Sequence, residues 1–154
     1  MGLCRVLRLG LVDYKRAWDL QRELAREVAD GGTPSTLLLL EHPHVYTLGR
    51  RGQRSDVLLD DASLARLGVA LYEVDRGGEA TYHGPGQLVA YPILDLRGWG
   101  GPLKYVRTLE QTIILTLADF GILAQATPGL TGVWVSPSTG SGQGEEKVAA
   151  IGLK

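Results

Sequence analysis

Apolar positions set out the elements before anything else does. Arg5 to Val12 has the composition of a strand, and Tyr14, Ala17, Trp18, Gln21, Leu24, Ala25 and Val28 then recur at three- and four-residue steps. That spacing predicts an amphipathic helix, with Asp13 placed to cap it and Gly31-Gly32 to end it. The run "TLLLLE", Thr36 to Glu41, is too short and too apolar for a surface helix between Pro34 and Pro43, so it reads as a buried strand. "HVYTLG", His44 to Gly49, continues the pattern. A short helix is expected near Asp61 to Leu67, a strand over Val69 to Asp75, and another over Gln87 to Leu96. Pro92 supplies no N–H to a ladder, which makes its position an edge or a bulge.

Pro102 suits a first helical turn, and Leu103, Val106, Leu109, Ile113, Leu117 and Phe120 form a long apolar stripe that ends at Gly121. "ILAQA" and "GVWVS" read as a hairpin pair. Pro137 to Glu146 is a flexible Gly/Ser-rich connection, and "KVAAIGLK" starts a last strand. Strands and helices in this mixed order predict an α+β domain, a mixed sheet covered by two long helices.

Composition narrows the function classes. The 154 residues suit one domain with one core, and 16 basic against 17 acidic residues leave a formal charge of −1. That balance favours neither nucleic acid nor an anionic membrane and points to small or acylated partners. Charges at Arg5, Arg8, Asp13 and Lys15 interrupt any apolar run that a signal peptide or a membrane span would need, so a cytoplasmic protein is expected. The lone Cys4 cannot form an internal disulfide and reads as a small buried hydrophobe. Trp18, Trp99 and Trp134 are scattered, as core or rim residues are.

The chemistry gathers in "RGGEATYHGPGQL", Arg76 to Leu88. Gly77, Gly78, Gly84 and Gly86 allow backbone to approach a ligand closely, or simply make tight turns. A phosphate cradle would need the glycines to open a helix, whereas a strand follows them. His42-Pro43-His44 has the look of a two-histidine metal pair without a nearby carboxylate or cysteine to complete it, so no metal is expected. Arg50, Arg51 and Arg54 form the densest basic patch, either solvated turn residues or a contact for an acidic, phosphate-bearing partner.

The run "RGGEATYHGPGQL" resembles the signature of the octanoyltransferases, which transfer octanoyl groups from acyl carrier protein to lipoyl domains. The resemblance extends over nearly the whole chain, through "YKRAWDLQREL", "TLLLLEHPHVYTLGRRG", "YVRTLEQTIILTLADFGI", "GVWV" and "KVAAIG" in the family's order. It implies a biotin and lipoate protein ligase-like (class II synthetase-like) α+β fold, and one domain over residues 1–154 whose C-terminal part is missing. It also implies an acyl pocket lined by Arg76, Gly77, Gly78, Glu79, Ala80, Thr81, Tyr82 and His83, with Ala150, Ile151 and Gly152 as a second substrate-binding segment. The family's catalytic lysine carries over to Lys147, beside a cysteine whose pKa it lowers.

That cysteine belongs in the family to a later "PCG" segment, and the sequence ends at Lys154 before it, so a fragment without transferase activity of its own is expected. The implied partners are octanoyl-acyl carrier protein and the lipoyl domains of 2-oxoacid dehydrogenase E2 subunits and of the glycine cleavage H protein. No ATP, metal or nucleotide cofactor is implied. Two other readings remain open, a non-catalytic acyl- or lipoyl-domain-binding relative and an ATP-dependent lipoate or biotin ligase.

Overall fold

The structure is a computed structural model and describes residues 3–97, 100–136 and 144–154. Trp99 and residues 137–143 of the Gly/Ser-rich connection lie outside the described residues, and Glu146 already belongs to a strand. The chain divides into two compact units, Met1–Asp95 with Lys154, and Leu96–Leu153.

The first unit is built from two crossovers. β1 (Cys4–Leu11) leads through α1 (Tyr14–Ala29) to β2 (Ser35–Glu41), which lies parallel to β1. β3 (Val45–Leu48) leads through a 3-10 turn (Arg54–Asp56) and α2 (Asp61–Leu67) to the parallel β4 (Ala70–Glu73). Parallel neighbours cannot be joined by a tight turn, and each helix supplies the length of chain the crossover needs. β5 (Ala80–His83) then pairs antiparallel with β3, and β6 (Val89–Ile93) pairs antiparallel with β2.

The expected α+β class is present. Among the described residues the strands form three-stranded sheets, in orders β1-β2-β6 and β4-β3-β5, instead of one continuous mixed sheet. β6 is an edge strand, which is how Pro92 is accommodated opposite Leu37 without a bulge.

Local chemistry explains the boundaries. The Asp13 side chain accepts the Arg16 N–H at 3.1 Å, and Gly31 adopts φ 72° beyond the helix end. The run "TLLLLE" is a strand with one face buried, Thr36, Leu38 and Leu40 inward and their neighbours half-exposed. Leu38 and Leu40 pack with Ala17 and Leu24 of α1 and Val89 of β6. A second cluster joins Leu48, Val57 and Leu64, placing α2 against one face of β4-β3-β5. The region expected to be a loop between two strands contains β5; four residues of "RGGEATYH" extend because β3 offers a free edge to pair with. Cys4 is exposed at the start of β1, not buried as expected, because β1 is itself an edge strand.

The second unit consists of α3 (Pro102–Asp119) and an antiparallel sheet of β7 (Ala124–Gln125), β8 (Val133–Val135) and β9 (Glu146–Ala149). Tyr105, Val106 and Glu110 are the buried positions of α3, while Leu103 and Phe120, the ends of the expected stripe, are 69% and 77% exposed. Glu110 is the unexpected member. Its carboxylate accepts the Gly132 N–H at 3.0 Å and the Arg107 guanidinium at 2.6 Å, tying the helix to the start of β8. The last strand stops at Ala149, so Ala150, Ile151 and Gly152 continue it as irregular chain and not as strand.

Candidate functional site

Register decides which side chains meet. In β4-β3-β5, Thr47 stands opposite both Tyr72 and Thr81, and Val45 stands opposite His83. Residues directly opposite share a face, so Thr47, Tyr72, Thr81 and His83 lie on one face. Tyr46, Leu48, Leu71 and Ala80 lie on the other, against α2. One face of this small sheet therefore makes core and the other is polar and aromatic.

Arg76 locks the loop that precedes β5 onto that polar face. Its guanidinium donates to the Thr47 carbonyl at 2.8 Å, to Thr47 Oγ1 at 2.7 Å and to the Gly77 carbonyl at 2.9 Å. Three backbone bonds fasten the same loop to the turn after β3: Gly49 N–H to Glu79, Arg50 N–H to Arg76 and Arg51 N–H to Gly78, at 3.0 to 3.1 Å. The two backbones lie so close that a Cβ on Gly49 would sit 2.5 Å from the Gly78 carbonyl oxygen. Gly78 itself has φ 90°, a region that glycine enters without strain. Here the glycines serve backbone-to-backbone approach.

His83 sits at the end of β5, half-buried. Tyr14 stacks on it with ring centroids 6.1 Å apart, and His42 meets it edge-on at 5.7 Å. Its Nδ1 lies 2.6 Å from Gln87 Oε1. Tyr14 also stacks on Tyr72 at 5.4 Å and faces His42 at 5.0 Å. His42 is fully buried, with Nδ1 2.7 Å from the Val12 carbonyl and Nε2 2.9 Å from the Tyr91 hydroxyl. A carbonyl only accepts, so Nδ1 carries the proton and the Tyr91 hydroxyl donates to Nε2.

Burial holds both His42 and His83 below the ordinary imidazole range. For His83 the Gln87 hydrogen bond acts upward, and the nearby charges of His42 and Arg76 act further downward. Burial likewise pushes the Tyr14 and Tyr91 phenols up. The result is a set of neutral hydrogen-bonding groups around one cation, Arg76.

Tyr82 points to the opposite side. Its hydroxyl meets His44 Nδ1 at 2.5 Å, and its ring folds over Gly84, where a Cβ would lie 2.3 Å from the phenol oxygen. His42 and His44 are thus engaged with different partners on different faces, and among the described residues no group of three metal-ligating side chains gathers. Arg54 leaves the basic patch: it binds Asp61 at 2.7 Å and the carbonyls of Val57 and Leu59 at 2.8 and 2.6 Å. Arg50 is exposed, and Arg51 approaches Glu79 at 3.9 Å.

Arg76 to His83 belong to the first unit, whereas Lys147, Ala150, Ile151 and Gly152 belong to the second. Lys147 is exposed on β9, its ammonium 4.6 Å over the Trp134 ring, and Gly132 makes room for its side chain. An open groove of about 680 Å³ flanks α1 between Asp19, Arg22, Glu23, Ala25, Arg26 and Lys154, and none of Arg76 to His83 lines it.

Residues 13–154 match the lipoyl protein ligase A/B catalytic domain. The chain belongs to this family. It is 52% identical over 154 residues to the octanoyltransferase of Solibacter usitatus, covering 99% of this chain and 66% of that protein. It is 49% identical over 156 residues to the octanoyltransferase of Gloeobacter violaceus, covering 100% of this chain and 64% of that protein. The family member described here therefore spans just under two thirds of the length of those curated relatives. Among solved structures, a bipartite lipoate protein ligase from Thermoplasma acidophilum aligns with TM-score 0.57 at 20% identity, over 85% of this chain and 50% of its own. P. falciparum LipL1 in complex with lipoate aligns with TM-score 0.62 at 14% identity, over 81% and 39%. These likenesses establish the lipoate protein ligase-like fold.

Tyr14, Tyr72 and Tyr91 were not expected beside the site, and His42 was expected there only as one of two histidines without an assigned role. His42 had a signal: it continues the parity of Leu38 and Leu40, the buried face of β2. Tyr14 and Tyr72 had none, since only the tertiary stacking of Tyr14, the first residue of α1, on Tyr72 and on His83 brings them to the site.

Proposed function

We propose that the protein moves an octanoyl group from octanoyl-acyl carrier protein to a lysine of a lipoyl domain, through a thioester on a cysteine. The lipoyl domains of 2-oxoacid dehydrogenase E2 subunits and the glycine cleavage H protein are the acceptors in this reading. The observation that carries it is about half identity, over nearly the whole chain, to relatives that bear the name octanoyltransferase, with Arg76 to His83 built as one hydrogen-bonded wall on β3.

Arg76 and the loop Gly77 to Glu79 form the end of that wall, Ala80 to His83 its strand, and Ala150, Ile151 and Gly152 a second lining segment. Lys147 is the cation that stabilises the cysteine thiolate; a thiol of pKa ~8.5 is mostly protonated at neutral pH, and a nearby ammonium favours the nucleophilic form. A thioester already carries the activation that ATP supplies to a free acid, so this reaction uses neither ATP nor a metal. Its place of action is the cytoplasm; no helix among the described residues is long and apolar enough to cross a membrane.

The test uses the product of the complete reading frame, mixed with octanoyl-acyl carrier protein in the absence of ATP and read by intact mass. An octanoyl adduct that hydroxylamine removes is the expected result, and Lys147→Ala should slow its formation about tenfold or more at neutral pH. Octanoate binding without any adduct would instead indicate a binding relative, and product formed only with ATP would indicate a ligase.

A further inference from the structure

Gln87 lies outside the segment that the family resemblance assigns to substrate, yet it makes the shortest polar contact to His83. Its placement is built, not incidental. Gly84-Pro85-Gly86-Gln87 closes a turn with the Gln87 N–H on the Gly84 carbonyl at 3.1 Å, and Gly86 takes φ 85° at the third position, as a type II turn requires. The Gly86 N–H is held by Glu41 at 2.6 Å. The side chain then bridges two groups: Nε2 donates to the Tyr82 carbonyl at 3.3 Å, and Oε1 faces His83 Nδ1 at 2.6 Å. A carbonyl accepts only, so the Tyr82 contact sets the direction of the amide and leaves its oxygen toward the imidazole. An amide oxygen also accepts only, and His83 Nδ1 must carry the proton.

We propose that Gln87 is a positioning residue that holds His83 in the Nδ1–H tautomer, so that its bare Nε2 receives the proton of the incoming lysine amine. This rests on the acyl-transfer reading. Tyr14 stacks on the ring, His42 packs beside both rings, and Nδ1 is engaged by Gln87. Nε2 is the ring's one polar atom with no partner among the described residues. Burial, His42 and Arg76 all disfavour the imidazolium, which keeps this lone pair available at neutral pH. When the amine attacks the thioester carbonyl, a C–N bond forms, the C–S bond breaks, and the sulfur leaves with the electron pair as thiolate. The proton shed by the amine nitrogen passes to Nε2.

The protein labelled with ¹⁵N at its histidine rings reports the tautomer directly in long-range proton–nitrogen spectra. His83 should show the Nδ1–H pattern, Gln87→Leu should move it toward the Nε2–H pattern that free imidazole prefers, and Gln87→Glu should restore Nδ1–H. His42 should keep its own Nδ1–H pattern throughout, which marks an intact fold; Gln87 is exposed, so the substitutions leave the core untouched. An Nε2–H pattern for His83 in the unsubstituted protein, or no change in Gln87→Leu, would overturn the lock.

With the complete gene product, Gln87→Leu should slow transfer from enzyme thioester to amine about tenfold or more, with thioester formation from octanoyl-acyl carrier protein little changed. Equal amine-transfer rates in the two proteins would overturn the role given to Nε2. Product made only with ATP would overturn the acyl-transfer reading while the tautomer signals stayed as predicted.

Discussion

His42 and His83 show how much at this site depends on single side chains leaving water. Each is held below the ordinary imidazole value of 6.5, with burial as the largest cause. As pH falls, the unfolded chain takes up these protons first, so the stability they confer is complete above about pH 6.5 and is lost as pH drops through that value toward the folded pKa. The loss can reach about 1.4 kcal/mol per pH unit for each histidine. Urea midpoints at about pH 7.5 and about pH 5.5 should therefore differ, the lower pH giving the lower midpoint, and His42→Asn should shrink the difference. Equal midpoints would contradict the buried neutral network. Asp60 and Asp75 are shifted below the ordinary carboxylate value and act only in a more acid window, so they do not confuse this one. The residue types at this site were legible in "RGGEATYHGPGQL". That Gly49 serves the same loop was not, because the 2.5 Å approach of its neighbour's carbonyl joins residues far apart in sequence.

Among the elements, α1 and β2 followed from pattern, since their apolar period and caps are local properties. β5 did not, because four residues beside glycines become a strand only when β3 offers its edge. α3 shows a third case. Its apolar stripe marked a helix correctly, but the position most deeply buried is a carboxylate, Glu110, at 1% exposure. Periodicity treats such a residue as surface; only its two partners, Arg107 and the Gly132 N–H, account for its burial. Glu110→Ala should leave that N–H without an acceptor and a guanidinium without its carboxylate, at a cost of about 3 kcal/mol, readable as a lowered denaturation midpoint. Glu110→Gln, which keeps an acceptor for Gly132, should cost less. A neutral effect of Glu110→Ala would remove the tether between α3 and β8.

At the scale of the whole chain, both apolar clusters and both mixed sheets lie within Met1–Asp95, and that unit's link to Lys154 is an ion pair with Asp75 at 2.6 Å. An exposed pair of this kind is worth about 0–1 kcal/mol. A chain ending at Asp95 retains both clusters and both sheets and should unfold cooperatively and keep the His42 and His83 imidazole signals; their loss together with cooperativity would show that the unit needs the rest of the protein. The amino-acid sequence by itself determined the class of fold, most helices and strands, and the family, because each depends on local period, capping chemistry or an unbroken motif. Only the tertiary structure decided which side chains surround His83, which tautomer it takes, and that Glu110 is buried. Strand register and the stacking of Tyr14, at the start of α1, on Tyr72 and His83 of a second sheet bring distant residues together, and desolvation acts on a group only after those neighbours have displaced the water around it.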